Sequence, residues 1–315
     1  DNGFYFRNTV FYVRCLYALE PGSCWRQASL YCLNCSSSGW HYDISICEKH
    51  HVSPGTGTAA LGKSWAELPA ANTSVTEICH YITDVAATGN GSYPRNFAMG
   101  YDKAKKAALW AAYPLHAYYT APNASKERAY SADLSLGKTE QMVGGVGAPY
   151  NKGHQVPNAD RKVSNLANKQ ISYYSNMTPQ LATFNSGAWG TLETRVRGWM
   201  CDDTLYVVTG CYFDGTEGTT TDNGGNPCPV PTHYYKVLLR TKQGTTGQSV
   251  TTLAADELQC IGFWYEQTTD KTQTPDGCAV PVTEIEAKCG FEFFVNVPNA
   301  PKSSYSPGEW GLSGN

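Results

Sequence analysis

Residues 173–197 read YYSNMTPQLATFNSGAWGTLETRVR, and the polar segment YNKGHQVPNADRK precedes them at 150–162. Trp189, Leu192, Val196 and Trp199 recur at helical spacing, which predicts a helix over 187–199 with one apolar stripe. Asn185 falls near the start of that helix, with Glu193 and Arg197 further along it. At about 100° per residue, Asn185, Trp189, Glu193 and Arg197 span an arc of roughly 120° on successive turns. One face then presents an amide, a carboxylate and a guanidinium. A neutral oxygen ligand, a carboxylate to hold water and a cation for phosphate suit Mg²⁺-assisted chemistry on a phosphodiester. His154, delivered from a neighbouring Gly-rich loop, has the residue type of a general base, since free imidazole titrates near pH 6.5.

Each of these residues also has a plainer use. A histidine after glycine in a loop is often a surface residue, and asparagine is a common helix cap. Glu193 and Arg197, at i and i+4, could form a surface pair worth a few tenths of a kcal/mol.

The rest of the chain sets the frame. Of 315 residues, 41% are hydrophobic, enough to bury a core and to exclude wholesale disorder. Charged residues are 16%, against a usual ~25%, while Gly (30), Pro (17) and Tyr (21) are plentiful. That composition suits a loop-rich, strand-containing extracellular protein and excludes a long coiled coil. No apolar run approaches the roughly 18 residues of a membrane helix, so no membrane span is expected. The chain opens at Asp1 without Met, and a secreted protein that has lost its signal peptide is expected, with periplasm or cell surface as related settings. A net charge of −3 gives no global field for a polyanion, so any such site must be local. Lys103, Lys105, Lys106, Lys126, Lys152, Arg161 and Lys162 are candidates for a basic rim, although a solvated hairpin turn explains 103–106 equally simply.

Twelve cysteines fall into two blocks of six, Cys15 to Cys79 and Cys201 to Cys289. Each block could close on itself as three disulfides, which would imply an oxidising compartment. Cys32, Cys35, Cys47 and His50 have a spacing that could instead hold zinc. Residues 1–64 read as a Cys-rich, strand-containing module and linker, and residues 65–315 as the main domain. Five cysteines in 1–64 leave one over, with Cys79 as the nearest partner. Strands are expected at 97–99, 107–115, 205–213, 234–239, 261–265 and 291–297, and a short helix at 283–288 capped by Thr283 and Glu286 in a capping box. Strands mixed with helices indicate an α+β or α/β class.

The segment 173–197 resembles the helix-forming region of the DNA/RNA non-specific endonucleases, the sugar-non-specific ββα-metal nucleases, whose pattern is Ser-Asn-x-x-Pro-Gln, Asn-x-Gly-x-Trp, Leu-Glu and a later Arg. NKGHQVPNADR is similar to the family's Asp-Arg-Gly-His element. Ala108 to Tyr113 (ALWAAY), Val207 to Gly210 (VVTG), Val230 to Lys236 (VPTHYYK) and Val282 to Glu286 (VTEIE) match further motifs in the family's order. The resemblance covers about 65–315 and does not reach 1–64.

It implies an α+β, ββα-metal nuclease fold, a central antiparallel sheet flanked by helices, and a Mg²⁺-dependent endonuclease acting on DNA and RNA, with Mn²⁺ or another divalent cation as a substitute and no organic cofactor. By the same resemblance His154 is the general base, Asn185 the single protein ligand of a largely hydrated cation, and Glu193 a residue that holds the metal through water. Arg128 and Arg197 match phosphate-binding arginines, and Asn176 an asparagine near the site, although Asn176-Met177-Thr178 is also a glycosylation sequon. Asn151-Lys152 departs from the family's Asp-Arg, so Lys152 keeps a cation but not the bidentate fork. The alternative expectation is an inactive nuclease fold that binds extracellular polymers. His41, His50, His51, His80, His116 and His233 are expected to be structural or surface residues.

Overall fold

The computed structural model describes residues 63–89 and 91–313, and the backbone of two strands, β1 (Arg14–Tyr17) and β2 (Arg26–Ser29), which pair antiparallel. The chain divides into two compact units, 1–52 and 53–315. His41, His51 and the possible zinc ligands Cys32, Cys35, Cys47 and His50 lie outside the described residues.

In the second unit, β3 (Thr76–Tyr81), β4 (Arg95–Asp102), β5 (Ala107–Leu115), β8 (Leu205–Tyr212), β11 (His233–Thr241), β12 (Leu258–Glu266) and β13 (Ala279–Val280) form one seven-stranded sheet in the order β13-β12-β11-β8-β5-β4-β3. Every pairing is antiparallel, and the connections hold the small ribbon of β9 (Thr219–Thr221) with β10 (Pro227–Pro229) and the one-turn helix α5 (Pro275–Cys278). The class is α+β around a central antiparallel sheet, as expected. Both faces are buried, because alternate residues feed two cores. Tyr113, Val207, Tyr234 and Leu238 point to one, and Trp110, Val208, Tyr235 and Leu239 to the other.

The chain between β5 and β8 leaves the sheet and builds a separate unit. It contains β6 (Tyr150–His154), α2 (Asn165–Ile171), β7 (Met177–Leu181), α3 (Ala182–Ser186) and α4 (Ala188–Gly198), with the one-turn helix α1 (Ala117–Thr120) ahead of them. β6 and β7 pair antiparallel with His154 opposite Met177. Helix α4 then lays Trp189, Leu192 and Val196 on the first face of the sheet, and Trp199 follows at its C-terminal end. Two strands followed by helices is the ββα arrangement that the resemblance implies.

The second face is covered by α6 (Val282–Cys289) and the segment after it. Two expectations fail there. Residues 291–297 are not a strand, because Phe294 has φ +52° and the chain turns, although Phe291, Phe293, Phe294 and Val297 are all buried in the core. The run is apolar because it caps the sheet, not because it joins it. Thr283 is not a cap either. The helix begins at Val282 after Pro281, and Glu286 reaches forward to accept from the Phe293 amide (2.8 Å) and Lys302 Nζ (2.7 Å).

The cysteine expectation also fails in this unit. Cys79, Cys201, Cys211, Cys228, Cys260, Cys278 and Cys289 are all free thiols. Geometry gives the reason for the two on central strands. Cys211 lies opposite Tyr234 and Cys260 opposite Leu239, five residues apart along β11, which is roughly 16 Å of strand, whereas a disulfide needs Cα atoms within about 7 Å. Cys211 donates to the Ala108 carbonyl instead. The inference of an oxidising compartment therefore loses the second block as its basis. Among the described residues no helix is long and apolar enough to cross a membrane.

The loop that leads to β6 is anchored by buried polar groups. Asp133 Oδ2 accepts from the Ser175 hydroxyl (2.6 Å) and meets His80 Nε2 at 3.0 Å, while its Oδ1 accepts from the Ser135 amide. His80 is thus structural, as expected. Burial alone would raise the Asp133 carboxyl, but the His80 ring, the Ser175 hydroxyl and the Ser135 amide outweigh it and hold the group at about 2. An unfolded Asp titrates near ~3.9, so the folded form gains stability above that pH and loses it as pH falls through about 2. Asp133→Ala should lower stability at pH 7 by about 1–3 kcal/mol, the cost of orphaning buried donors. Urea unfolding of both proteins should show this gap constant above about pH 4 and closing toward pH 2. A gap unchanged at pH 2 would show that the carboxylate's charge is not the stabilising feature.

Candidate active site

Strand β6 ends at His154, and its geometry depends on the residue before it. A Cβ on Gly153 would collide with the Gln180 side chain on β7, so only glycine lets the two strands approach at this point. Beyond His154 the chain is held by Asn176. The Gln155 amide donates to the Asn176 carbonyl (2.9 Å) and the Val156 amide to Asn176 Oδ1 (2.9 Å), while Asn176 Nδ2 donates to the Val156 and Ile171 carbonyls. Asn176 is fully buried and its amide wholly committed. It neither faces solvent as a glycosylation acceptor nor reaches outward as a ligand, and its place in the site is to hold the turn after His154.

His154 itself has a buried Nε2 with no hydrogen-bond partner. The Tyr130 ring lies 6.0 Å from its ring, and Arg128 and Lys152 are close enough to act on it. Burial foremost, then the Arg128 and Lys152 cations, push the imidazole down to about 4. Arg128 is exposed and sits in the left-handed region at φ +57°, a strained conformation for a non-glycine residue. Its amide donates to Asn168 Oδ1 (3.1 Å), and Asn168 is in turn fixed by donating to Asn158 Oδ1 and the Arg161 carbonyl. Asn168 was not legible as a site residue in sequence. Its only signal is position on the buried face of a short helix, which an apolar residue would normally occupy.

Glu193 belongs to a second charged group. It makes no hydrogen bond or ion pair with a described residue, and its electrostatic neighbours are Lys236, Asp160 and Arg197. Burial raises its carboxyl, Lys236 and Arg197 oppose that, and Asp160 adds to it. Arg197 Nη1 is paired with Asp160 Oδ1 at 3.1 Å, so this guanidinium is committed to a buried carboxylate instead of standing free for phosphate. Tyr113 donates to the other Asp160 oxygen (2.9 Å). Lys236 is fully buried on β11. Its ammonium donates to Thr209 Oγ1 (3.0 Å) and lies 4.6 Å over the Trp189 ring, one helical turn from Glu193. Burial lowers its pKa, while Glu193 and Asp160 oppose that. Lys236 and Asp160 were in motifs quoted above but carried no role from spacing alone.

Asn185 is not on the helix that carries Glu193. It lies in α3, and Gly187 separates and caps the two helices with no side-chain cap. The single-face argument is corrected accordingly: Trp189, Glu193 and Arg197 share α4, and Asn185 precedes it. The correction also removes the plain reading of Asn185 as a cap. Its amide has no hydrogen-bond partner among the described residues and is half-buried. Among the described residues no three of His, Cys, Asp and Glu converge as for a closed metal cage. An amide oxygen and a carboxylate, each without a committed partner, are hard donors of the kind that suits a cation such as Mg²⁺, which keeps most of its waters.

The basic rim shrinks on inspection. Lys103 pairs with Glu140, Lys105 with Glu217 and Lys162 with Glu127, while Lys106 donates to the Pro227 carbonyl. Residues 103–106 are the solvated turn. Arg161 is fully buried and donates to the Asn96, Asp160 and Pro114 carbonyls. Arg128 and Lys152 remain as the cations beside His154.

The chain is similar to known nucleases. The mitochondrial nuclease EXOG of Xenopus laevis is 26% identical over 211 residues, 63% of this chain and 56% of that protein. The nuclease of Serratia marcescens is 26% identical over 218 residues, 66% of this chain and 76% of that protein. The chain spans about half the length of the curated relatives it first matches. A crystal structure of an EndoG–EndoGI complex shares the fold, with a TM-score of 0.51 and 22% identity over 64% of this chain and 84% of that one. The family-wide sequence profile described as DNA/RNA non-specific endonuclease matches residues 76–300, most of the chain, and the chain therefore belongs to the DNA/RNA non-specific endonuclease family.

Proposed function

We propose that residues 65–315 form a Mg²⁺-dependent endonuclease that hydrolyses phosphodiester bonds of DNA and RNA with little sequence preference and leaves 5′-phosphate ends, and that residues 1–64 form a separate module. The observation that carries this reading is His154: a buried imidazole nitrogen without a partner, flanked by two cations and kept neutral by them and by burial. In this reading the neutral imidazole takes a proton from the water that attacks phosphorus in line with the departing 3′ oxygen. Arg128 and Lys152 draw the phosphate to the imidazole. A phosphate bound between them offsets their charge and lifts the base toward its working pH. Asn185, and Glu193 through water, would hold the cation, which when bound neutralises charge developing on the phosphate and the leaving oxygen. Contacts that go to phosphate and sugar carry no base information, hence the loose sequence preference. The proposal does not need the extracellular setting, since the fold of this unit does not rest on disulfides among Cys201 to Cys289.

Plasmid digestion with Mg²⁺ and with EDTA tests the activity and separates it from an inactive polymer-binding fold. His154→Ala should lower turnover by about 10²–10⁴-fold while leaving the melting temperature and DNA binding nearly unchanged. Near-parental turnover in that variant would remove His154 as the base.

The pH profile gives an independent check. A protonated imidazole cannot accept a proton, so the rate falls as pH drops through the pKa of His154. The acid limb of kcat/KM, which reports the free enzyme, should lie nearer 4 than 6.5, and the limb of kcat should lie higher because bound phosphate offsets the two cations. Coincident limbs at about 6.5 would contradict the buried, cation-flanked imidazole.

The metal assignment predicts an order of severity. Asn185→Ala should remove most activity, with partial rescue by excess Mg²⁺, and Glu193→Gln should cause an intermediate loss because it acts through water. The apparent Mg²⁺ requirement should be measured for both under one salt condition, since salt shifts substrate binding by itself. An Asn185→Ala protein with the parental requirement would place the metal elsewhere.

A further inference from the structure

Lys152 stands where the matching family pattern has arginine, and an ammonium on a flexible stem is a poorer director of phosphate than a guanidinium fork. Two features of this fold restrict it. Its aliphatic stem runs through the space where a Cβ on Gly145 would be: that atom would fall 2.7 Å from Lys152 Cδ and 2.9 Å from Cγ. Gly145 also sits at φ +100°, which side-chain-bearing residues rarely adopt. The stem thus has a slot, and the ammonium at its end lies 4.3 Å from the centre of the Tyr130 ring. Tyr130 follows Arg128 by two residues, and its amide donates to the Arg128 carbonyl at 2.9 Å. One turn therefore places a guanidinium and an aromatic ring together, and the ring carries the second cation. Tyr130 packs on the buried cluster of Met142, Met177 and Cys228, which keeps the ring in place.

We propose that Tyr130 is a positioning residue for phosphate capture, holding the Lys152 ammonium beside His154 through its ring face. The idea rests on the nuclease reading for its functional consequence, but not for the geometry. Lys152 forms no ion pair with a described residue, so the ring is what counters its tendency to swing into water. A cation over an aromatic face at a partly exposed site is worth about 0.5–1 kcal/mol, or roughly two- to fivefold in occupancy of the held position.

The test uses the full chain with Tyr130→Leu, Tyr130→Phe, Lys152→Met and the double variant Tyr130→Leu/Lys152→Met. Tyr130→Phe keeps the ring and should behave as the parent. Tyr130→Leu should raise KM for duplex DNA about two- to fivefold with a smaller effect on kcat. The double variant should be no worse than Lys152→Met alone, because Tyr130 acts through Lys152. An activity-independent readout is the titration of the His154 ring by NMR. Loss of a nearby cation should move its pKa upward in Tyr130→Leu and in Lys152→Met, and leave it in place in Tyr130→Phe. Additive losses in the double variant, or a Tyr130→Phe as impaired as Tyr130→Leu, would overturn the proposal. Should the protein cut no nucleic acid at all, the nuclease reading falls while the NMR arm still decides whether Tyr130 holds Lys152. An unmoved His154 pKa in a folded Tyr130→Leu protein would overturn it there.

Discussion

Four charged groups gathered between the sheet and helix α4 constrain the part of this unit that holds His154. Lys236 rises from the middle of β11 and is fully buried, Asp160 enters buried from the turn after β6, and the half-buried Glu193 and Arg197 descend from α4. Two positive and two negative groups face one another, and their opposite charges offset the cost of burial. Removing one partner of a buried pair leaves an uncompensated charge, typically at a cost of about 3–5 kcal/mol. Helix α4 therefore cannot slide or rotate on the sheet without separating charges. The Trp189 ring joins the two systems, since it belongs to the apolar stripe of α4 and also carries the Lys236 ammonium on its face.

The same network reaches His154 by way of the backbone. Asp160 lies on the short turn that follows His154, and Arg161 beside it is buried with its guanidinium donating to carbonyls of β4, β5 and the turn itself. The end of β6 is thus tied to two strands of the sheet by a side chain that faces no solvent. Asn176 and Asn168 act in the same manner, each satisfying backbone groups that no strand or helix satisfies. The irregular chain around His154 is ordered by buried polar side chains, and this is why an unpartnered imidazole nitrogen can persist there.

Sequence made legible what depends on local pattern. The apolar spacing of 187–199 found α4 and alternation found the central strands, whereas Tyr150 to His154 read as the end of a Gly-rich loop and is the strand β6. It missed what depends on long-range packing. Asn185 was assigned to the helix of Glu193 because spacing has no sign for the break at Gly187, a residue whose φ and ψ are set by contact with the preceding turn. The run at 291–297 was read as a strand because burial by a sheet and burial against a sheet use the same apolar residues. Arg161 looked like a surface cation, and Arg197 a phosphate ligand, because composition does not show which carboxylates and carbonyls a fold will bring to a guanidinium. Lys236 was passed over for the opposite reason. One charge in the run Tyr234 to Leu239 reads as an outward residue, and only the topology shows that both faces of β11 are buried. The cysteine count failed likewise, since parity says nothing about whether two thiols lie on strands that can meet.

The paired departure at Asn151-Lys152 becomes coherent in this light. A guanidinium presents donors in a fixed plane and is commonly oriented by a carboxylate, so an arginine and a neighbouring aspartate support one another. An ammonium is a point charge that needs direction but not a planar partner. Here Lys152 takes its direction from a slot left by Gly145 and from the face of Tyr130, neither of which involves a carboxylate. Asn151 is exposed on β6 opposite Gln180, so its missing charge leaves no buried cation unpaired. An aspartate there would add a negative charge beside the site proposed to gather phosphate, with no guanidinium to neutralise it. Loss of the acid and exchange of the base are therefore one change, and the surrounding fold supplies by shape the orientation that the pair would otherwise supply by charge.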